Sequence, residues 1–175
     1  MNLKTSISQK GTYLHSAILA SNDGLVTTFA VVAGSLGAHL DPKVIVILGV
    51  ASLFADGFSM ATGNYLGAES EKEYQESNNQ IYSNKSSTLT NGLITFFTFV
   101  IIGVLPVFPY FFKIDHQFLI SVALMAQALY GIGMAQGLFT KKNPMYTGLR
   151  SLIIGGIAAT VAYIVGVLLK GLPLF

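Results

Sequence analysis

The stretch Tyr13-Leu14-His15-Ser16-Ala17-Ile18-Leu19-Ala20-Ser21-Asn22-Asp23-Gly24-Leu25-Val26-Thr27-Thr28 decides how this chain is built. It is apolar except in its middle, where Ser21-Asn22-Asp23-Gly24 admits two readings. Ser, Asn and Asp are favoured helix N-caps, so a helix starting at Gly24 is one of them. Such a helix would end near Ala38 after about 15 residues, or ~22 Å, against a hydrocarbon core of ~30 Å. A start near Tyr13 supplies the missing turns and places Asp23 about 15 Å from the helix end, close to mid-depth. The length favours the longer helix. A carboxylate there costs several kcal/mol unless it is neutralised, partnered or used.

Composition agrees with a membrane setting. Of 175 residues, 52% are hydrophobic and 10% charged, with a mean hydropathy of +0.61; a soluble domain carries about 25% charged residues. The apolar residues fall into five runs, predicting spans at about 13–39, 42–68, 89–112, 117–139 and 148–170 and leaving no room for a sizeable soluble domain. The fold class expected is an all-α integral membrane protein of five transmembrane helices in one domain. Residues 69–88 form its short acidic connection. Pro42 opens the second span, Pro106 and Pro109 bend or end the third, and Lys141-Lys142-Asn143-Pro144 closes the fourth.

With the N-terminus in the cytoplasm, that side holds Lys4, Lys10, Lys72, Lys85, Lys141, Lys142 and Arg150. The other holds Lys43, Lys113 and Lys170. The bias places the N-terminus inside and the C-terminus outside. The net charge of +2 and the lack of a basic cluster offer nothing to nucleic acid. Cysteine is absent, which excludes thiolate metal sites and Cys nucleophiles.

A second acid, Asp56, lies inside the second span. Ser52, Asp56, Met60 and Asn64 recur every four residues and form a polar stripe along a slowly drifting helix face. Antiparallel packing of the first two spans would bring Asp23, Asp56 and Met60 to similar depth. Two carboxylates and a thioether suit a borderline divalent ion such as Fe²⁺ or Mn²⁺ better than Ca²⁺ or Mg²⁺. Met60 is equally a packing residue by type, and either acid could be a protonated hydrogen bonder between helices. Gly24 admits a break or a close helix approach. The rows Ala30/Gly34/Ala38 and Ala33/Gly37 fit packing within one chain or a dimer seam. Glu69, Glu73 and Glu76 share a face of a short helix after the second span, either as a cation-attracting mouth or as a solvated helix end helped by Lys72. Gln127, Tyr130, Met134 and Gln136 in the fourth span line a pathway or bond between helices. No P-loop, G-x-G-x-x-G, G-x-S-x-G or zinc-enzyme pattern occurs, so the expectation is a non-enzyme.

Asn22-Asp23-Gly24-Leu25-Val26-Thr27-Thr28-Phe29-Ala30-Val31-Val32-Ala33-Gly34 resembles the first-span signature of the vacuolar iron transporter family, with its iron/manganese transporters and plant nodulin-like members. Ser59-Met60-Ala61-Thr62-Gly63-Asn64-Tyr65-Leu66 resembles the family's second-span motif, and Gly148 to Gly156 the start of its last span. The resemblance implies a five-span homodimer that moves Fe²⁺ or Mn²⁺ out of the cytoplasm in exchange for protons, along a path between subunits. It implies no permanently bound cofactor, the metal being substrate. Asp23 then matches the family's pathway acid and Met60 its pathway methionine, while Asp56 and Ser52 rest on the stripe alone. Two departures stand out. The long Glu-rich cytoplasmic domain of the iron transporters is reduced here to the stub Glu69–Glu76, and Asn64 stands where many members carry Glu. The host membrane would be vacuolar or another endomembrane in a eukaryote and the cell membrane in a prokaryote. The rival readings are a non-transporting membrane scaffold and a proton-coupled organic-cation antiporter.

Overall fold

The computed structural model describes residues 3–78 and 87–170, with side chains from 10 to 78 and from 87 to 169. Five helices follow in order: α1 Leu3–Gly37, α2 Pro42–Ser77, α3 Thr88–Gly103, α4 Gln117–Phe139 and α5 Pro144–Lys170, with a 3-10 turn at Phe108–Phe111. The chain is all-α, and among the described residues there is no strand. α1 (from Lys10), α2, α4 and α5 are each long and apolar enough to cross a bilayer, and α3 is a shorter apolar helix.

Several boundaries differ from those read in the sequence. α1 begins at Leu3, ten residues before Tyr13, and runs without interruption through Ser21–Gly24. Ser21 and Asn22 do not cap anything. Their side chains donate back to the carbonyls of Ala17 (2.7 Å) and Ile18 (3.0 Å), the local bond that short polar side chains make inside a helix. α2 continues to Ser77, so Glu69, Glu73 and Glu76 lie on its extension and not on a separate short helix. At 36 residues it is ~54 Å long, well beyond a ~30 Å core. The third span is expected over 89–112, bent or ended by Pro106 and Pro109; α3 stops at Gly103, before both. Pro106 has no N–H to continue the ladder, and its carbonyl instead accepts from Ser121 Oγ of α4 at 2.6 Å. Residues 79–86, including Lys85, lie outside the described residues.

The ends are closed by identifiable caps. Asp41 Oδ1 accepts from Lys43 N (2.8 Å) and starts α2 ahead of Pro42. α1 and α4 each finish on a left-handed residue, His39 (φ 60°) and Lys141 (φ 56°). The following amides reach back from Leu40 to the Ser35 carbonyl and from Lys142 to that of Gly137. This is the Schellman pattern, with a non-glycine where Gly is usual.

α1 is the central helix and packs on all four others. It approaches both α3 and α5 at backbone distance. A Cβ on Gly24 would lie 2.7 Å from the Phe99 carbonyl oxygen, and one on Gly103 would lie 2.9 Å from the Gly24 carbonyl oxygen. Gly24 therefore marks a backbone contact and not a break, so no carbonyl is freed beside Asp23. Farther along, Gly34 and Gly37 receive Gly166 and the backbone around it on α5, so these two small residues are used for packing within the chain. Gly24→Ala should drive α1 off α3 and lower stability by about 1–3 kcal/mol. Gly63→Ala, where a Cβ meets open space, should be neutral or gain up to ~1 kcal/mol. Thermal melting of the detergent-solubilised protein checks both; a wild-type midpoint for Gly24→Ala would contradict the contact.

Candidate functional site

The two acids are placed by the hairpin that carries them. Asp23 precedes the end of α1 at Gly37 by fourteen residues, and Asp56 follows the start of α2 at Pro42 by fourteen. In antiparallel helices equal spacing from the turn means equal height, here ~21 Å from it. The part of α1 long and apolar enough to cross a bilayer is Lys10–Gly37, and Asp23 lies at its middle, thirteen residues from one end and fourteen from the other.

Each acid is followed by a glycine, and both glycines seat the same residue of α3. Gly24 meets the Phe99 backbone and Gly57 its ring, where a Cβ would lie 3.3 Å from Cδ1. Phe99 is fully buried between them. Successive helix positions differ by about 100°, so a glycine facing α3 turns the aspartate before it away. Asp23 and Asp56 are accordingly both exposed on the outer face of the hairpin.

No basic side chain meets them. Among the described residues the only ion pair is Lys72–Glu69 (3.5 Å). Thr27 Oγ1 donates to the backbone carbonyl of Asp23 (2.7 Å), and the Asp23 carboxylate accepts no hydrogen bond among the described residues. Asp56 is oriented by Ser52, whose Oγ donates to its Oδ2 at 2.5 Å. Met60 lies one turn farther from the hairpin turn, half-buried against the cluster of Ala20, Leu53 and Phe99. It thus has a packing role and a place beside the acids.

Other candidates separate from this group. Asn64 donates from Nδ2 to Thr95 Oγ1 (2.8 Å), and Thr95 donates to the Asn91 carbonyl (2.9 Å), so the Asn64 amide is committed to α3. Asn91 Oδ1 is buried without a partner. The Asn91/Thr95 pair, four residues apart, is visible in the sequence within the otherwise apolar third span. Glu69 is thirteen residues, or ~20 Å along the helix, from Asp56; it pairs with Lys72, and Glu71 accepts from Gln75 (3.1 Å). Tyr130 and Met134 pack on Gly148 of α5. Gln127 is exposed, and Gln136 lines a cavity with Asn22. Among the described residues no three His, Asp or Glu side chains come together. One chain thus presents two outward-facing carboxylates at a single level, with a half-buried thioether one turn away. That is a partial donor set for a cation that takes six or more ligands.

The comparisons with known proteins follow this geometry. A sequence model of the VIT family matches residues 14–85 and 76–167. A protein named "Vacuolar iron transporter" from Toxoplasma gondii is 25% identical over 225 residues, covering 90% of this chain and 74% of that one. One of the same name from Plasmodium falciparum is 25% identical over 90% of this chain and 82% of its own. "Vacuolar iron transporter 1" from Tulipa gesneriana is 24% identical over 86% and 84%. The first alignment, at 225 positions, is longer than this 175-residue chain, so the relative carries residues inside the shared region that are missing here. The two family matches meet at 76–85, the α2–α3 connection. With matched residues in all five helices, this chain belongs to the VIT family.

Proposed function

We propose that this protein is a divalent metal transporter that moves Fe²⁺ or Mn²⁺ out of the cytoplasm, in exchange for protons, along a path at a homodimer interface. The observation that carries the reading is the pair of equal-height, outward-facing carboxylates on the α1–α2 hairpin, unpaired by any cation among the described residues. Charged groups at membrane depth face a protein interior or water, not lipid. A second copy set against the same face would enclose the acids and double the donors to four carboxylates and two thioethers, enough to coordinate a metal without a resident cofactor. The membrane acids also offer sites for the counter-transported proton.

The relatives' names point the same way, since the proteins matched over most of their length are called vacuolar iron transporters. Asp23 and Asp56 act as metal ligands in this reading, Met60 biases the site towards borderline ions, and Ser52 positions Asp56. Glu69, Glu73 and Glu76 on the α2 extension attract cations to the entrance. The orientation is N-terminus in, with the protein in a vacuolar or other endomembrane of a eukaryote or the cell membrane of a prokaryote.

Mn²⁺ and Fe²⁺ flux into proteoliposomes with an imposed pH gradient tests this directly. Wild type should show gradient-dependent flux, and Asp23→Asn should lose it while remaining folded; equal flux in the two proteins would remove Asp23 from the pathway. Ser52→Ala should raise the metal concentration for half-maximal flux by about 10-fold, as for loss of a group that orients a ligand. A change confined to the maximal rate would refute the positioning role. Since the native chain has no cysteine, Ala55→Cys, exposed beside Asp56, places a single thiol on the proposed seam. A short bifunctional thiol reagent should convert the 18.7 kDa chain to a covalent dimer in native membranes, and a persistent monomer would oppose the interface.

A further inference from the structure

We propose that a cationic basin between α1, α4 and α5 binds a compact oxyanion of the phosphate or sulfate class. The site is separate from the Asp23–Asp56 pair and does not depend on the transport reading. The basin is a cavity of about 270 Å³ with Asn22, Gln136, Lys142, Arg150 and Ser151 among its lining residues. Pockets for drug-sized ligands run from ~300 to ~1,000 Å³, so this one suits a small ligand. Its frame is built by the α4–α5 turn. Lys141 takes the left-handed conformation and the Lys142 amide returns to the Gly137 carbonyl, which fixes where the Lys142 side chain leaves the backbone. Beyond the turn, α5 lies on α4 at backbone distance. A Cβ on Gly133 would be 2.6 Å from the Thr147 carbonyl oxygen, and one on Gly137 would be 2.7 Å from Pro144 Cα. The start of α5 is thereby held against the end of α4, which sets Arg150 and Ser151 beside Gln136 and Lys142.

These side chains have donors to spare. Among the described residues Arg150, Lys142, Gln136 and Ser151 make no side-chain hydrogen bond or ion pair, whereas Asn22 spends its Nδ2 on the Ile18 carbonyl (3.0 Å). None of the chain's eight acidic side chains lines the cavity, so nothing there answers the two positive charges. Basic residues are expected near the ends of membrane helices. That bias places charge, but it does not gather amide and hydroxyl donors from different helices into one hollow. The arginine fork matches two oxygens of a tetrahedral oxyanion, and lysine adds a point charge. The Gln136 amide and the Ser151 hydroxyl supply the remaining donors, while a metal cation would meet only like charge.

Thermal shift and isothermal titration calorimetry on the full chain in detergent test the site. The probes are inorganic phosphate, sodium chloride at matched ionic strength and dioleoyl phosphatidylglycerol. Phosphate should raise the melting midpoint with a saturable dependence, and chloride should not. Arg150→Gln, a change at an exposed side chain without partners among the described residues, should weaken phosphate by ~10-fold or more, as for loss of a charge-assisted hydrogen bond. Gln136→Leu leaves the net charge intact and should weaken it ~3-fold, as for a neutral donor. Lys141→Gln removes a neighbouring cation that does not line the cavity and should leave the affinity unchanged. Full affinity in either Arg150→Gln or Gln136→Leu would overturn the site. An equal shift from chloride, or an equal loss in Lys141→Gln, would reduce the effect to bulk charge and overturn it as well. A shift from phosphatidylglycerol with none from phosphate would overturn the free oxyanion and give the basin to a headgroup.

Discussion

The molecule depends on one contact, the clasp of Phe99 between Gly24 and Gly57. Two helices approach α3 closely at those points because neither carries a side chain there. In hydrocarbon, where apolar burial gives little drive to association, such small-residue contacts are a main source of helix–helix attraction. The same clasp sets the chemistry. Each glycine turns the preceding aspartate by about 100°, so seating Phe99 and presenting two carboxylates to the outside are one event. Two Asp-Gly dipeptides, each fourteen residues from the turn, then meet at a common height.

Much of this was legible in the sequence. Helix length alone distinguished a span through Asp23 from a cap before Gly24, and α1 does run through it. Proline placement foretold the end of α3. The extensions of α1 and α2 were not legible, because residues 3–12 and 69–77 carry polar side chains without a strong breaker, and apolar counting stops where the lipid stops. The stripe on α2 misled at its end for a geometric reason. Four residues turn a helix by 400°, so each step drifts by 40°. From Asp56 to Asn64 the drift is 80°, enough to move the amide from the outer face onto Thr95 of α3.

Between α2 and α3 the chain has only ten residues, 78–87, so the acids near this connection are those of α2 itself. The acids on the α2 extension and the pair in the membrane belong to the same helix but stand ~20 Å apart, too far to share an ion. Among the described residues the extension assembles no cage of its own. Its acids fit a diffuse negative field better than a store of bound metal.

The unbroken length of α2 has a mechanical meaning. From Pro42 the helix reaches Asp56 in fourteen residues and Ser77 in thirty-five, uninterrupted and with no further proline. For a stiff rod pivoting at the α1–α2 turn, movement at the tip is about 2.5 times movement at the acid. A sideways swing of ~2.5 Å outside the bilayer would shift the backbone at Asp56 by ~1 Å, comparable to the margin that separates a good ligand distance from a poor one. Were α2 to swing as such a rod, a coarse displacement at its far end would reach the carboxylate as a finer one.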